Sequence, residues 1–133
     1  MSCEICHREV PIENKDTGMC ATCNRDERNN TALYPMARQM FLTKMIELEV
    51  CCPVWGSPIT MESDIHHKRG RVGYASEAKR QQGISLLIDV DFFLACSRLG
   101  HIHIENNYAN AIASGWSESR QTIQDDDSEL IPS

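Results

Sequence analysis

The apolar positions of the chain change period along its length. Between residues 31 and 49, Leu33, Met36, Met40, Leu42, Met45, Ile46 and Leu48 recur at helical spacing, with Arg38, Lys44 and Glu47 among the polar positions. This predicts one helix, with Pro35 in its first turn, where a missing N–H does no harm. The methionines then read as packing residues of a core face. Ahead of it, residues 24–30 (Asn-Arg-Asp-Glu-Arg-Asn-Asn) are wholly polar and read as a connector. The stretch 7–19 contains Pro11, Asn14 and Gly18 and suits a hairpin or loop. Residues 68–83 read as a long loop with a short helical turn at 76–82, and residues 101–114 fit a second helix. The last segment, 121–133, carries Asp125-Asp-Asp-Ser-Glu129 and reads as a disordered, solvated acidic tail.

Composition narrows the classes. The 133 residues are 41% hydrophobic and 24% charged, which fits a globular chain and excludes full disorder. Aromatic residues are 6%, so any core is small. The net charge of −6 argues against a general nucleic-acid glue and leaves room only for a local basic patch. No apolar run is long enough to span a membrane. The N-terminus shows no apolar signal segment, and seven cysteines without one predict a reducing, cytoplasmic setting where thiols favour metal over disulfides.

Four of those cysteines form two C-x-x-C pairs, Cys3/Cys6 and Cys20/Cys23, thirteen residues apart. The two-residue spacer makes a tight turn that aims both sulfurs at one point, so two pairs complete a tetrahedral Zn²⁺ site. Such a knuckle supplies folding energy that about 25 residues cannot gain by burial alone. In the second half, Asp64-Ile-His66-His67-Lys68-Arg69-Gly70-Arg71 and His101-Ile-His103-Ile-Glu105 are the segments with chemistry. On a helix, His101 and Glu105 share a face and can reach one cation, while His103 points elsewhere. On a strand, His66 and His67 point to opposite faces. One can bind a cation while the other acts as a base, a set suited to phosphodiester hydrolysis. Lys68, Arg69 and Arg71, with Lys79 and Arg80, make a positive patch suited to backbone phosphates.

At these residues the chain resembles the small phage-type HNH endonucleases, the ββα-metal class built on a treble-clef zinc fold. The resemblance covers about residues 36–120. It rests on Phe41-Leu42, Cys52-Pro-Val-Trp55-Gly-Ser-Pro-Ile-Thr60, Ile65-His-His-Lys-Arg-Gly-Arg-Val-Gly73, Leu86-Leu-Ile-Asp89, Phe93-Leu-Ala95, His101, Ile104-Glu105, Ala111, Gly115, Ser117 and Ser119-Arg120. It implies that His66 and His101 bind a catalytic cation (Mg²⁺, Mn²⁺ or Zn²⁺), that Glu105 completes the site, and that His67 is the general base. Four positions depart from the family pattern. Of the four cysteines that hold a second structural zinc in the family, only Cys52 is kept. Trp55, Ser97 and Gly100 occupy the other positions, with Trp55 suited to fill the space and Cys51 and Cys96 to pack as small buried hydrophobes. Phe92 stands where an asparagine orients the base.

The expected architecture is therefore α+β. A four-cysteine knuckle (1–28) leads through a connecting helix (29–50) into an HNH-like ββα domain (51–120) and the acidic tail (121–133). The strands fall at about 59–67 and 85–95, and the helix begins near His101. Two functions follow as expectations. One is a metal-dependent DNA endonuclease or nickase. The other is a catalytically retired phage accessory protein that uses the same scaffold to bind DNA or a host protein.

Overall fold

The computed structural model describes residues 2–118; the acidic tail lies outside the described residues. The fold is mixed α+β, with two separate two-stranded antiparallel sheets and four α-helices among the described residues. These fall into two compact units, residues 2–34 with 71–89, and residues 35–70 with 90–118. None of the described helices is long and apolar enough to cross a membrane.

In the first unit, β1 (Ile12–Asn14) pairs with β2 (Met19–Cys20). The connecting turn is made by its own residues. Asn14 Oδ1 accepts from the N–H groups of Asp16 (3.1 Å) and Thr17 (3.4 Å), and Gly18 closes the turn at φ +74°. A side chain at Gly18 would also press on the Glu4 side chain, which would have to move aside. The buried cluster of this unit is Cys3, Cys6, Met19, Cys20, Cys23 and Tyr74, a core in which four of six members are thiols.

Helix α1 (Ala21–Glu47) starts ten residues earlier than the apolar pattern implies. The polar segment 24–30 is helical because Asp26 and Asn30, one turn apart, both find buried partners. Tyr74 Oη donates to Asp26 Oδ2 at 2.7 Å. Asn30 Nδ2 donates to the carbonyls of Asp26 (2.6 Å) and Gly83 (2.9 Å), and its Oδ1 accepts from Ser85 N (3.1 Å). With every hydrogen-bonding group of the amide used, burial of the polar residue costs little. Pro35 consequently lies inside the helix, not in its first turn. The methionines are not core residues: Met36 is 63% and Met40 66% exposed, and Leu33 and Leu48 are exposed too, while Leu42 is fully buried. Helical spacing put these residues on a common stripe without saying what covers it.

Helix α2 (Glu77–Gln82) bears out the short helical turn expected at 76–82. Ser76 caps its N-terminus through Lys79 N, and Gly83 at φ +73° ends it.

In the second unit, β3 (Asp64–His67) and β4 (Phe93–Cys96) pair antiparallel, with His66 opposite Leu94 and His67 opposite Phe93. Both strands are shorter than the expected 59–67 and 85–95. Thr60 and Ser63 close a turn ahead of β3, and residues 90–92 form a 3₁₀ turn ahead of β4. The helix starts at Arg98, not His101, because Ser97 caps it by accepting from Gly100 N at 3.0 Å. It also stops early. Asn107 Nδ2 donates to the carbonyl of His103 (2.9 Å) and splits the expected helix into α3 (Arg98–Asn106) and α4 (Tyr108–Ala113). The chain then returns to β3, where Glu118 N donates to Lys68 O (2.8 Å).

Asn30 is the polar residue on which the first unit most depends. Replacing it with alanine strands the carbonyl of Gly83 and the N–H of Ser85. Asn30→Ala is therefore expected to lower unfolding stability by about 1–3 kcal/mol for each stranded group, read by urea denaturation of the metal-loaded protein.

Candidate metal centres

The first candidate centre is the four-cysteine cluster. Cys3 and Cys6 sit on a turn in which His7 N donates to Cys3 O (2.9 Å), Cys3 N to Arg8 O (3.0 Å), and His7 adopts φ +62°. Cys20 ends β2, and Cys23 lies in the first turn of α1. All four sulfurs are buried and lie within 4.8 Å of one another, so the cluster can hold a metal ion such as zinc. Four thiolates at about 2.3 Å from a tetrahedral Zn²⁺ stand about 3.8 Å apart, and Cys6 Sγ lies 3.9 Å from Cys20 Sγ. His7 is exposed and outside the cluster.

The surroundings favour thiolate. Burial raises the Cys3 thiol, but the N–H groups of Cys6, Cys20 and Ile5 all point at Cys3 Sγ and together bring it down to about 6. Arg8 adds a positive charge, with Nε 3.3 Å from Cys6 Sγ and Nη2 3.8 Å from Cys20 Sγ. Burial and the neighbouring sulfurs push Cys23 strongly up. Four thiolates without a cation repel one another, which a divalent ion reverses.

The turn geometry occurs twice. In the second unit Gly56 N donates to Cys52 O (2.8 Å), Cys52 N donates to Ser57 O (2.7 Å), and Gly56 adopts φ +75°. The Ser2–Glu9 bridge of the first turn is matched by Cys51–Pro58. Ser97 and Gly100 follow β4 into α3 as Cys20 and Cys23 follow β2 into α1. Here the converging side chains cannot bind a metal together. Ser97 Oγ lies 3.5 Å from Cys52 Sγ, and a Cβ at Gly100 meets that sulfur at 2.6 Å and Trp55 Cδ1 at 3.5 Å. Trp55 is 60% exposed, so it does not pack inward here as expected. Cys96 is a buried hydrophobe as expected, its thiol pushed up to about 12 by burial and then by Cys52 and Asp64, but Cys51 is exposed.

A second group of polar residues lies on β3 and α3, although among the described residues only the four cysteines bring their ligand atoms close enough together to hold a metal ion. Strand alternation puts Asp64 and His66 on one face, Ile65 and His67 on the other. His66 and His101 stand edge to face with ring centroids 5.2 Å apart. His101 Nε2 lies 3.7 Å from Glu105 Oε1, and His101 Nδ1 bonds Asp64 Oδ2 at 3.0 Å. His66 Nε2 bonds Ser117 Oγ at 2.7 Å. Burial, and then the charges of His101, His67 and Lys68, hold the His66 imidazole down at about 4, so it is neutral at pH 7 and able to accept or ligate. His67 is separated from this group. It is 6% exposed and stands against Phe93 with centroids 4.9 Å apart. His103 points elsewhere, as expected, toward Trp55 and Trp116.

Asp64 and Ser117 belong to the group although sequence reading gave neither a role. The signal for Asp64 was its two-residue spacing from His66 on a strand. Ser117 was marked only as one of the residues that carry the resemblance, with no role, and it arrives through the return after α4. The basic residues are engaged: Lys68 with Glu118 (3.6 Å), Lys79 with Asp89 (3.4 Å), Arg80 with Glu77, Arg69 over the Phe92 ring and Arg71 over Tyr34.

Two outcomes test the thiol assignments. Elemental analysis is expected to give one zinc per chain, and Cys6→Ser or Cys20→Ser to lose it together with protease resistance of residues 2–34. In the metal-loaded protein one thiol, Cys51, is expected to react quickly with a thiol reagent at pH 8, and Cys51→Ser to remove that phase. Comparison of the chain with protein-family models, with curated proteins and with solved structures finds no match.

Proposed function

We propose that the chain is an HNH-like phage protein, a metal-dependent DNA endonuclease or nickase working in the host cytoplasm, with a structural Zn²⁺ on Cys3, Cys6, Cys20 and Cys23. The observation that carries this reading is the neighbouring placement of His66, His101 and Glu105, with Asp64 behind His101. Strand β3 and helix α3 supply those residues, with β4 between them in the chain, in the order of a ββα motif. The repeated knuckle turn at Cys52–Trp55 supports a treble-clef ancestry, with a zinc site that has lost its ligands.

His66, His101 and Glu105 hold the catalytic cation in this reading, which can be Mg²⁺, Mn²⁺ or Zn²⁺. When bound, the cation supplies Lewis-acid polarisation of the phosphodiester and charge neutralisation at the leaving oxygen. The chain's own residues do the rest. Asp64 accepts the Nδ1 proton of His101 and so fixes the tautomer that presents Nε2 as a donor pair. Ser117 orients His66. His67 is the general base that takes a proton from water. Lys68, Arg69, Arg71, Lys79 and Arg80 contact backbone phosphates by exchanging their present partners for the DNA.

One observation favours the second reading, a retired scaffold that binds DNA or a host protein. His67 packs against Phe93 on the strand face opposite His66, and Phe92 offers no hydrogen bond to orient it. Supercoiled-plasmid nicking in Mg²⁺ or Mn²⁺ separates the two. The nuclease reading expects His101→Ala and Glu105→Gln to abolish nicking, Asp64→Asn to lower it roughly 10–100-fold, and His67→Ala to lower it roughly 10²–10⁴-fold. Absence of nicking with every cation, in protein carrying its zinc, establishes the retired scaffold instead.

A further inference from the structure

The four-cysteine cluster has a companion that a ligand set alone does not require. Arg8 follows Cys6 by two residues, and its guanidinium reaches back over the sulfurs, with Nε 3.3 Å from Cys6 Sγ and Nη2 3.8 Å from Cys20 Sγ. Cys6 belongs to the first C-x-x-C pair and Cys20 to the second, so one side chain bonds a sulfur from each. Arg8 is half-buried, and its carbonyl accepts from the N–H groups of Cys3 and Val10, both at 3.0 Å. The sulfurs raise its pKa, the bond to Cys6 most, then the charge of Cys6 and the bond to Cys20. A second guanidinium stands in the same field. Arg80 is bonded to Glu77, which raises its pKa first, and the charges of Cys6 and Cys23 raise it further. Four thiolates around a divalent ion leave two negative charges, and two guanidiniums match them. Of the two, Arg8 is the one bonded to sulfur.

We propose that Arg8 is a positioning residue of the four-cysteine site: its fork clamps one sulfur of each pair, so that the site releases its metal slowly and its bound sulfurs resist electrophiles. This rests on the metal reading of the cluster. Release of an ion from four thiolates requires the two pairs to part and a freed sulfur to be captured by a proton or a competing group. A guanidinium spanning Cys6 and Cys20 opposes the parting, because its own two bonds break with it. The same bonds draw charge from the sulfurs, and a less basic sulfur is a weaker nucleophile. The rigid planar fork is what this duty needs. A lysine keeps the charge, but on a flexible stem without the two-armed geometry.

The test uses the full chain loaded with Zn²⁺ or Co²⁺. Transfer of Zn²⁺ to excess EDTA is expected to run roughly 10–100-fold faster from Arg8→Ala than from the wild type. Arg8→Lys is expected to fall between them, and it carries the comparison if the alanine variant does not fold. Arg25→Ala removes the same charge from an exposed side chain of the same unit and is expected to match the wild type. In the Co²⁺ form, Arg8→Ala should keep the tetrahedral d–d bands while the sulfur-to-cobalt charge-transfer band shifts, a signature that a general loss of stability does not produce. Iodoacetamide should alkylate Cys6 and Cys20 of zinc-loaded Arg8→Ala faster than those of the wild type. Release at the wild-type rate from Arg8→Ala or Arg8→Lys, or equal acceleration by Arg25→Ala, overturns the clamp and leaves the metal site standing. A wild-type chain that gives no tetrahedral Co²⁺ spectrum overturns the metal site itself, and the clamp with it.

Discussion

Four sulfurs crowded within 4.8 Å are the constraint on which the first unit depends. Its buried cluster holds only one aromatic residue and one methionine besides the cysteines. Leu86 and Leu87 are the aliphatic residues buried elsewhere in the unit. The same sulfurs repel as thiolates and attract through a shared cation. The hairpin turn, the N-terminal knuckle and the first turn of α1 are each short and locally satisfied, and the four sulfurs are where they meet, a cluster able to hold a metal ion. The N–H groups aimed at Cys3 and the Arg8 guanidinium serve the same cluster, since they stabilise negative charge on its sulfurs.

The second unit shows what the same backbone does without that constraint. Its turn at residues 51–58 repeats the hydrogen bonds and the positive φ of the first. In place of ion coordination it has a serine cap on α3, a glycine that permits close approach, and a larger apolar core with Leu42, Ile59, Ile65, Phe93, Ala95 and Ile104 buried. Burial of these side chains supplies cohesion that the first unit, with its core of thiols, has less of.

Much of this was legible in the sequence, for identifiable reasons. Paired C-x-x-C spacing is geometric, so the cluster of Cys3, Cys6, Cys20 and Cys23 followed from it directly. The four-residue spacing of His101 and Glu105 and the strand alternation of His66 and His67 are also local, and both held. What sequence did not show depended on partners far along the chain. Residues 24–30 looked like a connector because Asp26 and Asn30 are polar, and only Tyr74, Gly83 and Ser85 make them interior residues. Met36 and Met40 looked like core because they share helical spacing with Leu42, yet periodicity names a face and not its cover. Ser117 became visible only once the chain after α4 turned back to β3.

The bond between Asp64 and His101 has a consequence for how the second unit is stitched together. It ties the first residue of β3 to α3 across 37 positions of the chain, and the bond between His66 and Ser117 ties the return after α4 to the same strand across 51. Asp64 and His66 share one face of β3. One short strand thus anchors two distant segments side by side, and loosening either seam leaves the same face half covered.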